Sequence, residues 1–328
     1  MRFGPMSLNA AQGGVLAHSL IAGGARLRKG TVLTEEDVAV LAAAGIDKVI
    51  VAMLDPGDVD ENQAAERLAK ALVPDPEAAH LRVAPASTGR VNIYADQPGL
   101  LEIDAGKIHA ANAISPMITI ATPPPWQRLG LRGMAATVKI ISYAVPGPDI
   151  EVAAKAARAV LSLRPPVYDT AGFIQTVLAP GEAPAQKTTQ DRLARLAVSL
   201  EAPVLVQHEV RALSDAIQAQ VADVIFILTA SATSDIQDTA PAALVRAGGE
   251  VVAFGMPVDP GNLLFYGRLG AKHVIGLPGC ARSPALNGAD WILERVLCGV
   301  EVTQADIAGM GVGGLLKEIP SRPRPREG

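Results

Sequence analysis

Residues 204–254 read VLVQHEVRALSDAIQAQVADVIFILTASATSDIQDTAPAALVRAGGEVVAF. Val204–Val210, Asp223–Thr229 and Val251–Phe254 read as strands, the second of them (DVIFILT) an apolar one. Arg211–Gln220 and Pro241–Ala247 between them read as helices. Strands that alternate with helices, each strand nearly all apolar, indicate a mostly parallel sheet covered on both faces. The pattern extends in both directions. Upstream, Ala171–Leu178 reads as a strand and Thr189–Leu200 as a helix, with Leu193, Leu196, Ala197 and Leu200 in phase. Downstream, Lys272–Gly276 reads as a strand and Asn287–Leu297 as the last helix. Ligands of such sheets sit at the carboxyl ends of the strands, so the loops there carry the functional interest.

The first half of the chain is patterned differently. Thr34 has the character of a helix N-cap, Glu35, Glu36 and Asp37 place negative charge in the first turn, and Gly45 supplies the stop before a Val49–Val51 strand. A helix is expected through Asn62–Leu72, short strands such as Ala136–Ser142 follow, and Pro123-Pro124-Pro125 breaks the chain. A further helix is expected over Asp149–Leu163, with Ile150, Ala154, Ala157 and Leu161 at helical spacing, closed by Pro165-Pro166. The boundary falls there. Residues 1–165 are expected to form a separate α/β region and 166–320 a three-layer α/β/α domain. Residues 321–328 (SRPRPREG), proline-rich and basic, are expected to be a disordered tail or the start of a linker, with a docking motif as the alternative.

Composition narrows the function classes. With 328 residues, at about 150 per domain, two domains are expected. The 29 basic and 33 acidic residues leave a charge of −4, so no global basic field draws in nucleic acid or an anionic membrane. Aromatics at 3% leave few platforms for stacking single-stranded bases. Two cysteines exclude a disulfide scaffold and a Cys-based zinc site. The opening MRFGPMSLNA has no apolar core of a leader, and no apolar run approaches a membrane span. The expectation is a cytoplasmic α/β protein.

Several familiar motifs are absent or out of context. Gly309, Gly311, Gly313 and Gly314 lie too near the end to open a βαβ unit, so they do not make a dinucleotide fingerprint; a mobile or tightly turned loop is expected. No GxxxxGK[ST] phosphate loop occurs. His18, His80, His109, His208 and His273 show no ligand spacing, and His273 is expected to have a hydrogen-bonded structural role. Cys280 is a lone thiol, inert by default and a nucleophile in the sharper reading.

Three segments at predicted strand ends stand out. Ala230–Asp238 (ASATSDIQD) gathers Ser231, Thr233, Ser234, Asp235 and Asp238 before a helix. Such residues can hold Mg²⁺ or a polyol and aim at a phosphate on the helix N-terminus, or simply cap the helix. Pro257–Asn262 (PVDPGN) and Gly276–Pro284 (GLPGCARSP) are Pro-Gly loops. Pro fixes φ and Gly permits positive φ, so each loop can turn its amides inward as an anion nest, or be an ordinary turn. The second also carries Arg282, whose guanidinium suits a phosphate.

Taken in order, the three segments resemble the molybdopterin-binding domain of molybdenum-cofactor biosynthesis, found in molybdopterin adenylyltransferases and molybdenum insertases. That family has a Gly-Gly-x-Ser/Thr segment ending in Asp, a Pro-Gly loop and a Gly-Leu-Pro-Gly loop. Thr233 and Asp238 fit the first, Pro260-Gly261 the second and Gly276-Leu277-Pro278-Gly279 the third, over about residues 168–319. Ala25–Val51 also looks like an insertase lead-in, and the whole is most similar to a bacterial subgroup often fused to a nucleotidyltransferase-like domain. The pattern is departed from in three places: Ala230-Ser231 replaces Gly-Gly, Asn262 replaces the insertase lysine, and Cys280 stands where Asn is common.

The resemblance implies a molybdopterin ligand held by Ser231, Thr233, Ser234, Pro260, Gly261, Asn262, Gly276, Pro278, Gly279, Cys280, Arg282 and Ser283. If the chain is catalytic, it implies Mg²⁺-dependent adenylylation with ATP or molybdate insertion, with Asp238 and Asp235 as catalytic and metal-holding residues. It also implies a homo-oligomer working with other proteins of the cofactor pathway. The alternatives are a non-catalytic cofactor carrier and a nucleotide or pterin hydrolase related to competence-damage-inducible proteins.

Overall fold

Thr34 opens the helix Glu35–Ala43 with a reciprocal cap: its Oγ1 accepts the Asp37 amide while the Asp37 carboxylate accepts the Thr34 amide. Gly45, at φ 76°, turns the chain out of the helix into the strand Lys48–Met53. That strand is flanked on both edges by antiparallel partners, Arg2–Ser7 and Val15–Leu16. Leu8, Leu16, Leu33, Leu41, Val49 and Val51 fill the core between helix and sheet.

The computed structural model describes residues 1–316, and the chain in it divides into two compact units. The first is Met1–Gln97 with Leu101–Leu163; the second is Pro98–Leu100 with the chain from Arg164 onward. The stretch read from the sequence as a basic tail, 321–328, lies outside the described residues. The first unit continues past its opening sheet into a second core. There the helices Glu61–Leu72 and Gly147–Ala156 pack with an antiparallel sheet whose strands Leu81–Val83, Arg90–Ala95, Met134–Ile140 and Ile118–Ala121 lie side by side.

The helix expected over Asp149–Leu163 is shorter and starts earlier. It spans Gly147–Ala156, and Leu161–Arg164 is a strand. Ala159, at φ 52°, marks the turn between them. Leu161 and Leu163 are buried as alternate residues of that strand. Leu161 also falls in phase with the helix, and a four-residue strand is too short to reveal its own period.

In the second unit the elements are numbered from its own start. They run β1 (Thr170–Val177), α1 (Lys187–Ala194), β2 (Ser199–Leu200), β3 (Val204–Gln207), α2 (Val210–Ala219) and β4 (Val224–Leu228). They continue with α3 (Thr239–Arg246), β5 (Glu250–Phe254), β6 (Phe265–Leu269), β7 (Lys272–Leu277), α4 (Gly288–Leu297) and α5 (Gln304–Gly309). The sheet order is β2-β1-β4-β7-β6-β5, and β3 also pairs with β1. Every pairing among β1, β2, β3, β4 and β7 is parallel; β6 is antiparallel to both β7 and β5. Ile174, Ile225, Ile227 and Val274 pack against Leu213, Ile217, Ala243 and Leu244 of α2 and α3. Phe173, Phe226 and Ile275 alternate with them and are as fully buried on the opposite face. Both faces are therefore covered, and the fold is α/β.

Three details differ from the sequence reading. The helix expected over Thr189–Leu200 ends at Ala194, because Ala197 takes φ 59° and Ser199–Leu200 joins the sheet. Strand β6 is unforeseen: Gly267 and Arg268 break its apolar run, and a Cβ on Gly267 would meet the Glu250 carbonyl at 2.4 Å. Helix α4 is followed by α5. The glycines after α5 form a tight turn, Gly314 donating to Gly311, and this turn is tied down at Asp259. Among the described residues no helix is long and apolar enough to cross a membrane.

Candidate functional site

The strand registers place the loops. Leu228 of β4 lies beside Gln175 of β1 and Leu277 of β7, Gln207 of β3 beside Val177, and Phe265 beside both Gly276 and Phe254. The carboxyl ends of β1, β3, β4, β5 and β7 thus share one edge of the sheet. The segments 230–238, 257–262 and 278–284, tens of residues apart in sequence, all emerge there.

Two hydrogen bonds join these segments. Arg282, exposed, donates from Nη2 to the Thr229 carbonyl at 3.1 Å, linking the third segment to the start of the first. The Gly288 amide, where α4 begins, donates to the Pro260 carbonyl at 2.8 Å and links it to the second. Gly261, at φ 142°, is buried against this contact, and a Cβ there would come within 2.7 Å of the Gly288 nitrogen.

The first segment is closed on itself. Asp238 caps α3, its Oδ1 accepting the Thr239 amide and its Oδ2 the Ser234 amide. The Ser234 amide and then the Thr239 amide hold this carboxyl below the usual range, with a smaller contribution from His208, against the opposing effect of burial. Asp235 accepts the Gln237 amide at 2.7 Å. Thr229 donates to the Ser231 carbonyl, and its hydroxyl lies 3.4 Å from that of buried Thr233. Ser231 and Ser234 remain exposed. In the second segment Asn262 closes the loop on Met256, its carbonyl accepting the Met256 amide and its Nδ2 donating to the Met256 carbonyl. A cavity of about 380 Å³, lined by Ala253–Pro257 and by Gln304, Ile307 and Ala308 of α5, opens beside it.

The third segment has a different construction from an anion nest. Gly276 lies inside β7, where a Cβ would be 1.9 Å from the Phe265 ring, so its missing side chain serves strand packing. Gly279 begins a 3₁₀ turn over Gly279–Arg282 in which the Ala281 amide returns to the Pro278 carbonyl. Of these glycines only Gly261 takes positive φ. Exposed Cys280 accepts a hydrogen bond from Asn287 Nδ2 at 3.1 Å, and Ser283 accepts the Ala285 amide.

What shapes this segment is a residue that sequence reasoning missed. Arg192 of α1 is 3% exposed and donates from Nε to Asp290 at 2.6 Å. Its other nitrogens donate to the carbonyls of Ala281, Ser283 and Ala285. Asp290 also closes the cap of α4 by accepting the Asn287 amide. A guanidinium presents five donors in a fixed fork, and here four of its contacts set the path of one loop. An arginine four residues from Thr188, inside a polar helix, gives no signal of this in the sequence.

Among the described residues no three or more His, Cys, Asp or Glu side chains group closely enough to hold a metal ion. Both oxygens of Asp238 accept backbone amides, and Asp235 Oδ1 accepts the Gln237 amide. Elsewhere His273 has a structural bond, to the Tyr266 hydroxyl at 2.8 Å, and burial lowers its pKa. Buried Cys298 has its thiol pushed up to about 12 by burial, which makes it unreactive.

Comparison with known proteins adds the following. A family model described as a domain of unknown function (DUF8806) matches residues 5–53, the opening sheet and helix of the first unit. No curated protein matches the sequence. Among solved structures, the molybdopterin biosynthesis MoeA protein of Pyrococcus horikoshii aligns over 94% of this chain and 76% of its own, at 12% identity and a TM-score of 0.30. A molybdenum cofactor biosynthesis protein of Pyrococcus furiosus aligns over 94% of this chain and 65% of its own, at 12% identity and 0.24. A structure of molybdenum cofactor biosynthesis protein B aligns over 40% of this chain and 88% of its own, at 12% identity and 0.28.

Proposed function

We propose that the chain is a molybdopterin-binding protein of molybdenum-cofactor biosynthesis, holding the pterin and its phosphate at the carboxyl edge of the second unit's sheet. One observation supports this above the rest. The three segments that carry the sequence resemblance emerge at that edge, and hydrogen bonds at their borders tie them in place: Arg282 donates to the carbonyl of Thr229, just before the first segment, and the Gly288 amide, just after the third, donates to Pro260 of the second. Exposed Arg282 would neutralise the phosphate, and Ser231 and Ser234 would meet polar groups of the ligand.

Within this reading the protein binds and hands on its ligand without turnover. The support for this is local: Asp238 already serves as the cap of α3, and Asn262 stands where the resemblance expects the insertase lysine. The reading also includes a cytoplasmic homo-oligomer that delivers the cofactor to other proteins of the pathway. The test is to incubate purified protein with molybdopterin, then with molybdopterin, ATP and Mg²⁺, measuring binding and adenylate formation separately. Saturable binding without adenylate is expected. Absence of binding overturns the proposal, and adenylate formation replaces the carrier reading with the enzymatic one.

A further inference from the structure

Two hydrogen bonds meet in the sheet beneath the first segment. Thr176, near the end of β1, is fully buried. Its Oγ1 accepts the Ala230 amide at 2.8 Å and lies 2.8 Å from Nδ1 of His208, the residue that follows β3. The buried hydroxyl has one proton to place, and among the described residues Nδ1 is its acceptor. The threonine therefore donates to Nδ1, and the ring carries its own proton on Nε2. The backbone fixes the ring's base as well, since the His208 amide continues the sheet by donating to Val177.

This places His208 in relation to Arg282. Thr229 and Ala230 are adjacent at the tip of the central strand; the carbonyl of one is held by Arg282, and the amide of the other by Thr176, which holds His208. The imidazole also stands within electrostatic reach of Asp238. Half-buried His208, whose Nε2 makes no hydrogen bond to a described residue, is thus a donor of fixed tautomer beside the first segment.

We infer that His208 is a further ligand-contacting residue of this site, its Nε2–H donating to an oxygen of the phosphate that Arg282 neutralises, with Thr176 as the positioning residue that fixes the tautomer. The inference rests on the binding site proposed above but requires only a phosphate group, so inorganic phosphate and molybdopterin serve as separate probes.

The test combines imidazole ¹⁵N NMR on the full chain with titrations of both probes. The Nε2–H tautomer is expected for His208 in the free protein, with its signal moving as phosphate is added. Thr176→Val should relax the tautomer preference and Thr176→Ser should restore it. His208→Phe should weaken both ligands about tenfold, the loss of one donor, with His208→Gln recovering much of it. Phosphate binding of this kind without molybdopterin binding upholds the inference and overturns the pterin reading. Molybdopterin bound equally by wild type and His208→Phe, with an unmoved imidazole signal, overturns the inference and leaves the pterin reading intact. Wild type binding neither probe overturns both.

Discussion

The first and third segments of the site both leave the carboxyl edge of the sheet and are built on different principles. Apart from the Ala230 amide held by Thr176, residues 230–238 are closed by bonds that span at most four residues, such as Ser234 to Asp238, Gln237 to Asp235 and Thr239 to Asp238. Residues 278–287 are shaped by Arg192, about ninety positions earlier, through a buried ion pair and three carbonyl contacts. The first should tolerate change one bond at a time; the third should respond as a unit.

The largest effect follows from that contrast. Arg192→Ala leaves Asp290 buried and uncompensated, and should cost about 3–5 kcal/mol in urea unfolding, with any ligand binding lost alongside. A loss below about 1 kcal/mol, the range of surface pairs, would mean the loop holds itself. The two glycines of the third segment come next. Gly276→Ala presses on the Phe265 ring and should cost about 1–3 kcal/mol, the range for overpacking. Gly279→Ala, which meets open space, should be nearly neutral in the same assay. Equal costs would contradict the separation of strand glycine from loop glycine.

Asp238 sharpens the local side of the comparison. Asp238→Ala should cost about 1 kcal/mol as a lost cap and Asp238→Asn only a few tenths, since both residues cap well. Its folded pKa is depressed, first by the Ser234 amide. Its contribution is therefore present above the unfolded carboxyl value and is lost as the pH falls through the folded one. Stability measured down the acid limb should fall less steeply in Asp238→Asn than in wild type; an unchanged slope would show that these amides do not favour the charged form.

The same contrast explains what the sequence made legible. Strands β1, β4 and β7 announce themselves because strands buried on both faces are runs of apolar residues. The cap of α3 is equally visible, since Ser and Asp before a helix have a local purpose. Strand β6 is hidden because Gly267 is present for the closeness of the Glu250 backbone, a demand made by a neighbour in space. Arg192 and Thr176 are hidden for the same reason: each is ordinary in its own segment and acquires its role from partners 32 to 98 residues away. His208 shows no ligand spacing in sequence, and its tautomer is fixed only across paired strands.

The claim that the three segments make one phosphate-bearing site is tested most directly by titrating molybdopterin into wild type and Arg282→Ala, with thermal unfolding measured on both. A charge-assisted hydrogen bond contributes about 1.5–3 kcal/mol, so the variant should bind about ten- to a hundredfold more weakly. Because Arg282 is exposed, its melting temperature should hardly change. Equal affinity in the two proteins would contradict the account.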